Sequence, residues 1–161
     1  TLADFGNAKI IWNDILKVDL KTVLAEEFAD CDTINICANL PYYITSPVIM
    51  RLLESGLPIN KIAVMVQKEA GERLCAKVGS RESGAVTVAA NYYAESEILF
   101  FVPKDSFLPP PKVDSSVIKL TLRDNPPVEV KNEEFFFKLV KKFNSRSFFP
   151  SALCSLFFGR N

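Results

Sequence analysis

The stretch of this sequence best equipped for chemistry is Asn39-Leu40-Pro41-Tyr42. It sets a carboxamide, a proline-constrained turn and an aromatic ring directly after the apolar run from Thr33 to Ala38. A run of that kind reads as a buried strand, and open α/β sheets bind ligands at the carboxyl ends of their strands. An amide oxygen beside a backbone carbonyl offers acceptors for an exocyclic amino group, and a tyrosine ring stacks on a base. Methylation of an adenine N6 or a similar amino group needs those parts. Taken alone, the tetrapeptide serves equally well as a turn that starts a helix.

The rest of the composition narrows the chemistry. None of the 161 residues is histidine, which removes Ser-His-Asp and Cys-His nucleophiles, imidazole acid/base steps and histidine metal sites. Cys31, Cys37, Cys75 and Cys154 are separated by 6, 38 and 79 positions, matching neither a CxxC redox pair nor a zinc spacing. They read as buried free thiols, which with no basic-then-apolar leader points to a reducing, cytoplasmic setting. No apolar run approaches the ~20 residues of a membrane span, so no membrane partner is expected. The six glycines form neither GxGxxG nor GxxxxGK, so no phosphate or dinucleotide cradle can be drawn. Net charge is zero, yet residues 1–60 carry 4 basic and 8 acidic groups while residues 61–161 carry 15 and 11. The second part is the better match for a polyanion.

Several elements must position these groups. Lys9–Trp12 and Thr33–Ala38 read as strands around an acidic helical segment, Asp19–Phe28. Ser46–Glu54 has a helical apolar stripe with Pro47 in its first turn, and Gly56 and Pro58 end it. Lys61–Val66 reads as a buried strand, Lys68–Lys77 as an amphipathic helix closed near Gly79, and Gly84–Tyr93 as a helix. Glu97–Val102 and Ser115–Leu122 read as strands joined by the turn Phe107-Leu108-Pro109-Pro110-Pro111. Alternating β and α elements followed by a hairpin predict an α/β sheet with an antiparallel edge. Arg123–Val130, with Pro126 and Pro127, reads as a linker before a helix over Asn132–Phe143.

Three motifs in order carry a resemblance: Asn39 through Pro47, then Val66-Gln67-Lys68-Glu69 with Glu72-Arg73-Leu74, then Phe107 through Ser115. Over residues 8–143 the chain resembles the small-subunit rRNA adenine-N6 dimethyltransferases (KsgA-like). The resemblance implies the C-terminal part of a Rossmann-like class I methyltransferase sheet over residues 1–124. A linker and the start of a small helical domain follow over residues 125–161. It implies S-adenosylmethionine as methyl donor and, as partner, small-subunit rRNA in a pre-ribosomal particle, where two adjacent adenosines of the 3′-terminal hairpin accept the methyl groups. By the same match, Asn39 and the carbonyl of Leu40 or Pro41 hold the adenine amino group, and Tyr42 and Phe107 sandwich the flipped base. Asp14 and Ile15, with Asn39, contact the cofactor; without the match Asp14 reads as a helix N-cap. Lys68, Arg73, Lys77, Arg81 and Lys112 are the candidate rRNA phosphate contacts.

Two neighbouring classes fit less well. Large-subunit rRNA methyltransferases of the macrolide-resistance type typically place Ile at the position of Leu40, and DNA adenine methyltransferases usually place Asp at that of Asn39. A non-catalytic rRNA-binding assembly factor is the further alternative. The family's upstream strand, glycine-rich loop and ribose-binding acid have no counterpart in these residues. The chain therefore reads as a C-terminal fragment, expected to bind S-adenosylmethionine weakly and to be inactive alone. The apolar tail ending in Leu156-Phe157-Phe158-Gly159-Arg160-Asn161 departs from the family's basic helices and is a candidate for self-association.

Overall fold

The structure, a computed structural model, describes residues 5–144. Cys154 and the apolar tail lie outside the described residues. The chain divides after Asp30 into two compact units.

In the first unit, α1 (Leu20–Glu27) starts at Asp19, whose carboxylate accepts from the backbone N–H groups of Lys21 and Thr22 and from the Thr22 hydroxyl at 2.7 Å. These bonds, led by the Thr22 hydroxyl, pull the carboxyl below its ordinary pKa. Lys9 pairs with Glu27. The strand expected over Lys9–Trp12 does not form. A strand persists only when its backbone groups pair with a neighbour, and among the described residues no ladder reaches this segment. Ile10, Ile11 and Trp12 are exposed.

The second unit is built on a four-stranded sheet of order β1-β2-β4-β3, with β1 (Ile34–Asn39), β2 (Ile59–Gln67), β3 (Ala94–Val102) and β4 (Ser115–Leu122). β1 and β2 are parallel; β4 runs antiparallel to both β2 and β3. The predicted antiparallel edge is therefore present. Between β1 and β2 the chain forms a 3-10 turn (Tyr42–Ile44) and α2 (Thr45–Leu53). α2 buries Val48, Ile49, Leu52 and Leu53, and Gly56 follows it at φ +63°, a left-handed position suited to glycine.

Every second residue of the two central strands faces the core: Ile62, Val64 and Val66 on β2, and Ser116, Ile118 and Leu120 on β4, all essentially inaccessible. α3 (Lys68–Leu74) leaves β2 without a loop and packs against β4 so tightly that Gly71 lies over Ser116. The helix is shorter than the sequence pattern predicts, ending at Leu74. The Thr87 hydroxyl donates to the Arg73 carbonyl at 2.7 Å and accepts from the Gly84 N–H, joining the end of α3 to the start of α4 (Ala85–Tyr93).

The reading of the cysteines as buried is corrected. On β1, Ile34 is buried while Asn35, Cys37 and Asn39 alternate onto the exposed face, so period-2 geometry places Cys37 outward. Cys31 is exposed in the segment before β1, and Cys75 is half-buried, its thiol pKa raised chiefly by burial.

After the segment 123–132, α5 (Glu133–Asn144) starts at Asn132, whose amide oxygen accepts from the Phe135 N–H at 2.8 Å. Phe136, Phe137 and Val140 pack on Val88, Ala89 and Tyr92 of α4. Phe137 meets Tyr92 edge-on at 5.4 Å and stacks on Tyr93 at 5.5 Å. The Tyr93 phenol donates to Glu133; burial first, and this bond second, push its pKa well up.

Candidate functional site

The turn after β1 is locked by its own backbone. The Leu40 N–H continues the parallel ladder to the Met65 carbonyl at 3.4 Å, and the Leu40 side chain is buried. The Pro41 carbonyl accepts from the Ile44 N–H at 3.1 Å and from the Thr45 hydroxyl at 3.2 Å. Both lone pairs of that carbonyl are thus engaged, and of the two carbonyls named in the sequence reading that of Leu40 accepts no hydrogen bond among the described residues. Asn39, the last residue of β1, is exposed and sits opposite Met65 in the ladder.

Tyr42 is held from a distant part of the chain. Its phenol is 2.9 Å from the hydroxyl of Ser115, the fully buried first residue of β4, which pairs with both Gln67 and Val102. The ring is therefore fixed to the centre of the sheet. The opposing loop is held just as directly. Asp114 accepts from the Lys104 N–H through its carboxylate and from the Lys68 N–H through its carbonyl, both at 3.0 Å. That double bond pattern closes the base of the Pro103–Asp114 loop and ties it to the start of α3. Phe107, in this loop, is half-buried, and the Leu108–Pro109 peptide is cis.

Between the two segments lies a cavity of about 320 Å³, lined by Asn39, Leu40, Pro41, Tyr42, Met65, Phe107, Pro109 and Pro111. All five residues read from the sequence as base-holding line it. Sequence reasoning missed Met65 and Ser115. Met65 was recoverable from the register, because a parallel neighbour of Asn39 on the same sheet face has to be a β2 residue near position 65. Ser115 carried no such signal, since nothing local links it to Tyr42. A larger recess, about 660 Å³, opens at the opposite end of the strands, beside the starts of β1 and β2, and includes Asp32, Glu54, Asp124 and Glu133. Its acidic rim disfavours a polyanion.

The other predicted residues are scattered. Lys68 places its ammonium 5.1 Å from the centre of the Phe101 ring, Arg73 pairs with Glu69 at 2.9 Å, and Lys77, Arg81 and Lys112 are exposed. Asp14 belongs to the other unit. It caps a turn rather than a helix: its carboxylate accepts from the Leu16 N–H at 2.9 Å, and its carbonyl accepts from Lys17 and Val18. One carboxylate oxygen lies 3.8 Å from the Lys17 ammonium and the side chain is about half exposed. A carboxylate has about four acceptor positions, so Asp14 retains acceptor capacity that fits an amino group such as that of the expected cofactor's adenine.

The parallel β1–β2 pair extended by antiparallel β4 and β3, with its cavity at the strands' carboxyl ends, is the sheet of a Rossmann-like methyltransferase. A dimethyladenosine transferase from Plasmodium falciparum superposes with a TM-score of 0.63 at 31% identity, over 70% of this chain and 40% of that one. The 23S rRNA methyltransferase ErmE superposes with a TM-score of 0.65 at 23% identity, over 87% and 52%, a likeness of fold. The profile of the ribosomal RNA adenine dimethylase family matches residues 2–147. The chain is 50% identical over 141 residues to the ribosomal RNA small subunit methyltransferase A of Geobacillus thermodenitrificans, covering 88% of this chain and 48% of the relative. It is 51% identical over 139 residues to that of Shouchella clausii, covering 86% and 47%. The chain belongs to the ribosomal RNA adenine dimethylase family, and it spans about half the length of the curated relatives it matches.

Proposed function

We propose that this chain is the base-binding part of an enzyme that dimethylates N6 of adjacent adenosines in small-subunit rRNA, in the cytoplasm and on a pre-ribosomal particle. The observation that carries this is the cavity joining Asn39, Leu40, Pro41 and Tyr42 to Phe107 from a distant loop. A base flipped out of its stack enters between the Tyr42 and Phe107 rings. The Asn39 amide oxygen and the Leu40 carbonyl accept from its two amino hydrogens, which localises on nitrogen a lone pair otherwise delocalised into the ring. S-adenosylmethionine, when bound, supplies an electrophilic methyl group, and Asp14, Ile15 and Asn39 are the residues of this chain that would contact it. The alkylated nitrogen is cationic and acidic, so its proton leaves to solvent without a dedicated base. The two aromatic faces stabilise the passing positive charge. The linker after residue 124 and the helix Glu133–Asn144 lead into the family's helical domain in this reading, and the basic residues Lys68, Arg73, Lys77, Arg81 and Lys112 meet rRNA phosphate.

The test is methyl transfer from labelled S-adenosylmethionine to undermethylated small subunits and, in parallel, to large subunits. It is run with this chain and with the chain extended to its relatives' length. Dimethyladenosine in the small subunit, made by the extended protein, supports the reading. Label only in the large subunit favours the macrolide-resistance type, and no label in either leaves a non-catalytic rRNA-binding factor.

A further inference from the structure

Folding accounts for Tyr42 and Phe107, but it does not account for the residue that follows each of them. Tyr43 is 85% exposed and Leu108 is fully exposed, and among the described residues of their unit these are the most exposed large apolar side chains. One scattered apolar side chain on a surface needs no explanation. Here there are two, each the next residue along from a wall of the same cavity, one from each of the two segments that form it. Both segments are held rigidly, by the Pro41 carbonyl on one side and by Asp114 on the other. The exposure of Tyr43 and Leu108 is thus built into anchored turns.

The charges beside them point to the occupant. Lys112 follows the cavity residue Pro111, and Lys104 stands at the base of the same loop. Both are exposed and neither makes an ion pair among the described residues. An aromatic and an aliphatic platform flanked by free ammonium groups matches the chemistry of single-stranded nucleic acid, whose bases stack on apolar faces while its phosphates meet cations. A base extruded into the cavity leaves its two neighbours on the strand at the cavity mouth, one on each side.

We propose that Tyr43 and Leu108 form a second, non-catalytic binding site that stacks the nucleotides on either side of the target adenosine, with Lys112 meeting the intervening phosphate. The inference rests on the cavity's taking an adenine. Its content is distinct: the cavity selects the base, and the two exposed residues hold the strand that carries it. Binding of RNA therefore exceeds binding of the isolated nucleoside through residues that never touch the reacting atoms.

The test uses this chain and isothermal titration calorimetry with adenosine, offered either within a short single-stranded RNA or as the free ribonucleoside. Tyr43→Ser/Leu108→Ser is the informative variant, because both side chains lie in solvent and the circular dichroism spectrum and melting temperature are expected to stay at parental values. The double variant is expected to bind the RNA at least about tenfold more weakly, the loss of the Tyr43 stack alone, and to bind the nucleoside as the parent does. Lys112→Ala is expected to flatten the slope of log affinity against log salt by about 0.7, one phosphate contact on a single strand. Equal RNA affinity in parent and double variant overturns the proposal while leaving the adenine cavity intact. Parallel losses for RNA and nucleoside overturn it also, by placing the two residues in the cavity itself. If the parent chain binds neither probe, the adenine reading fails and this inference fails with it.

Discussion

Gly71→Ala is a substitution whose effect can be worked out in advance from coordinates. A Cβ at Gly71 would stand 2.1 Å from the Ser116 hydroxyl oxygen, 3.1 Å from Ile118 Cγ2 and 3.3 Å from Ser116 Cβ. Ser116 and Ile118 have no accessible surface, so neither retreats into solvent. Overpacking a filled core costs about 1–3 kcal/mol, and the depth of this overlap puts Gly71→Ala toward the upper end. Against it stands a helix-propensity gain of about 1 kcal/mol, which leaves a net loss of about 2 kcal/mol. The Ser116 hydroxyl has no hydrogen-bond partner among the described residues, so Ser116→Ala is expected to be neutral or stabilising by up to about 1 kcal/mol. In the double variant the worst overlap disappears, and the two changes are expected to couple favourably by at least about 1 kcal/mol. Urea unfolding of the four proteins, followed by far-ultraviolet circular dichroism, closes the cycle. A Gly71→Ala protein as stable as the parent, or strictly additive single changes, would refute the packing argument and with it the close seating of α3 that aligns the Lys68 N–H with Asp114.

Three further outcomes follow from the same geometry. Tyr42→Phe removes the bond to Ser115, whose fully buried hydroxyl loses that partner, and is expected to cost about 1–3 kcal/mol of stability while nucleoside binding persists, since the ring remains; calorimetric unfolding and adenosine titration read the two effects separately. Tyr93 has a pKa raised in the folded state by burial and by its bond to Glu133, so its stabilising contribution is complete below pH about 10, the value of a free tyrosine, and is lost as pH rises above it. Tyr93→Phe is expected to flatten the alkaline decline in melting temperature, and an unchanged decline would contradict this. Phe137→Ala removes a buried ring that contacts Tyr92, Tyr93 and Phe136 and is expected to cost about 3–5 kcal/mol, with hydrogen exchange in α5 rising before that in β2 or β4.

What was legible in the sequence was mostly local. The strands at Thr33, Lys61 and Ser115 announced themselves by short apolar, β-prone runs, and α2 by its stripe and its first-turn proline. The Gly84–Tyr93 segment, where β-branched residues alternate with alanines, forms the expected helix, its small alanines suiting the crowded interface between α2, α3 and α5. Lys9–Trp12 misled because strand propensity describes the side chains, whereas a strand is made by a partner's backbone. Cys37 misled for a related reason: cysteine is commonly buried, but position parity on β1 decides which face it takes. The cavity was half legible. Its near wall is one tetrapeptide, while its far wall depends on the β4 register and on Asp114, which pins a loop from beneath. Neither Ser115 nor the saturation of the Pro41 carbonyl can be read without coordinates, because both are facts about which partners arrive.

The account stands most directly on the role of Asn39. It closes an edge strand with an exposed side chain, so Asn39→Ala should leave folding intact. The decisive measurement is incorporation of labelled methyl groups into undermethylated small ribosomal subunits by this sequence extended to its relatives' length, with Asn39 and with alanine in its place. The account predicts dimethyladenosine from the parent and none above background from a variant with the parent's circular dichroism and melting temperature. Transfer by the variant at a rate near the parent's would contradict the assignment of the amide to the adenine amino group.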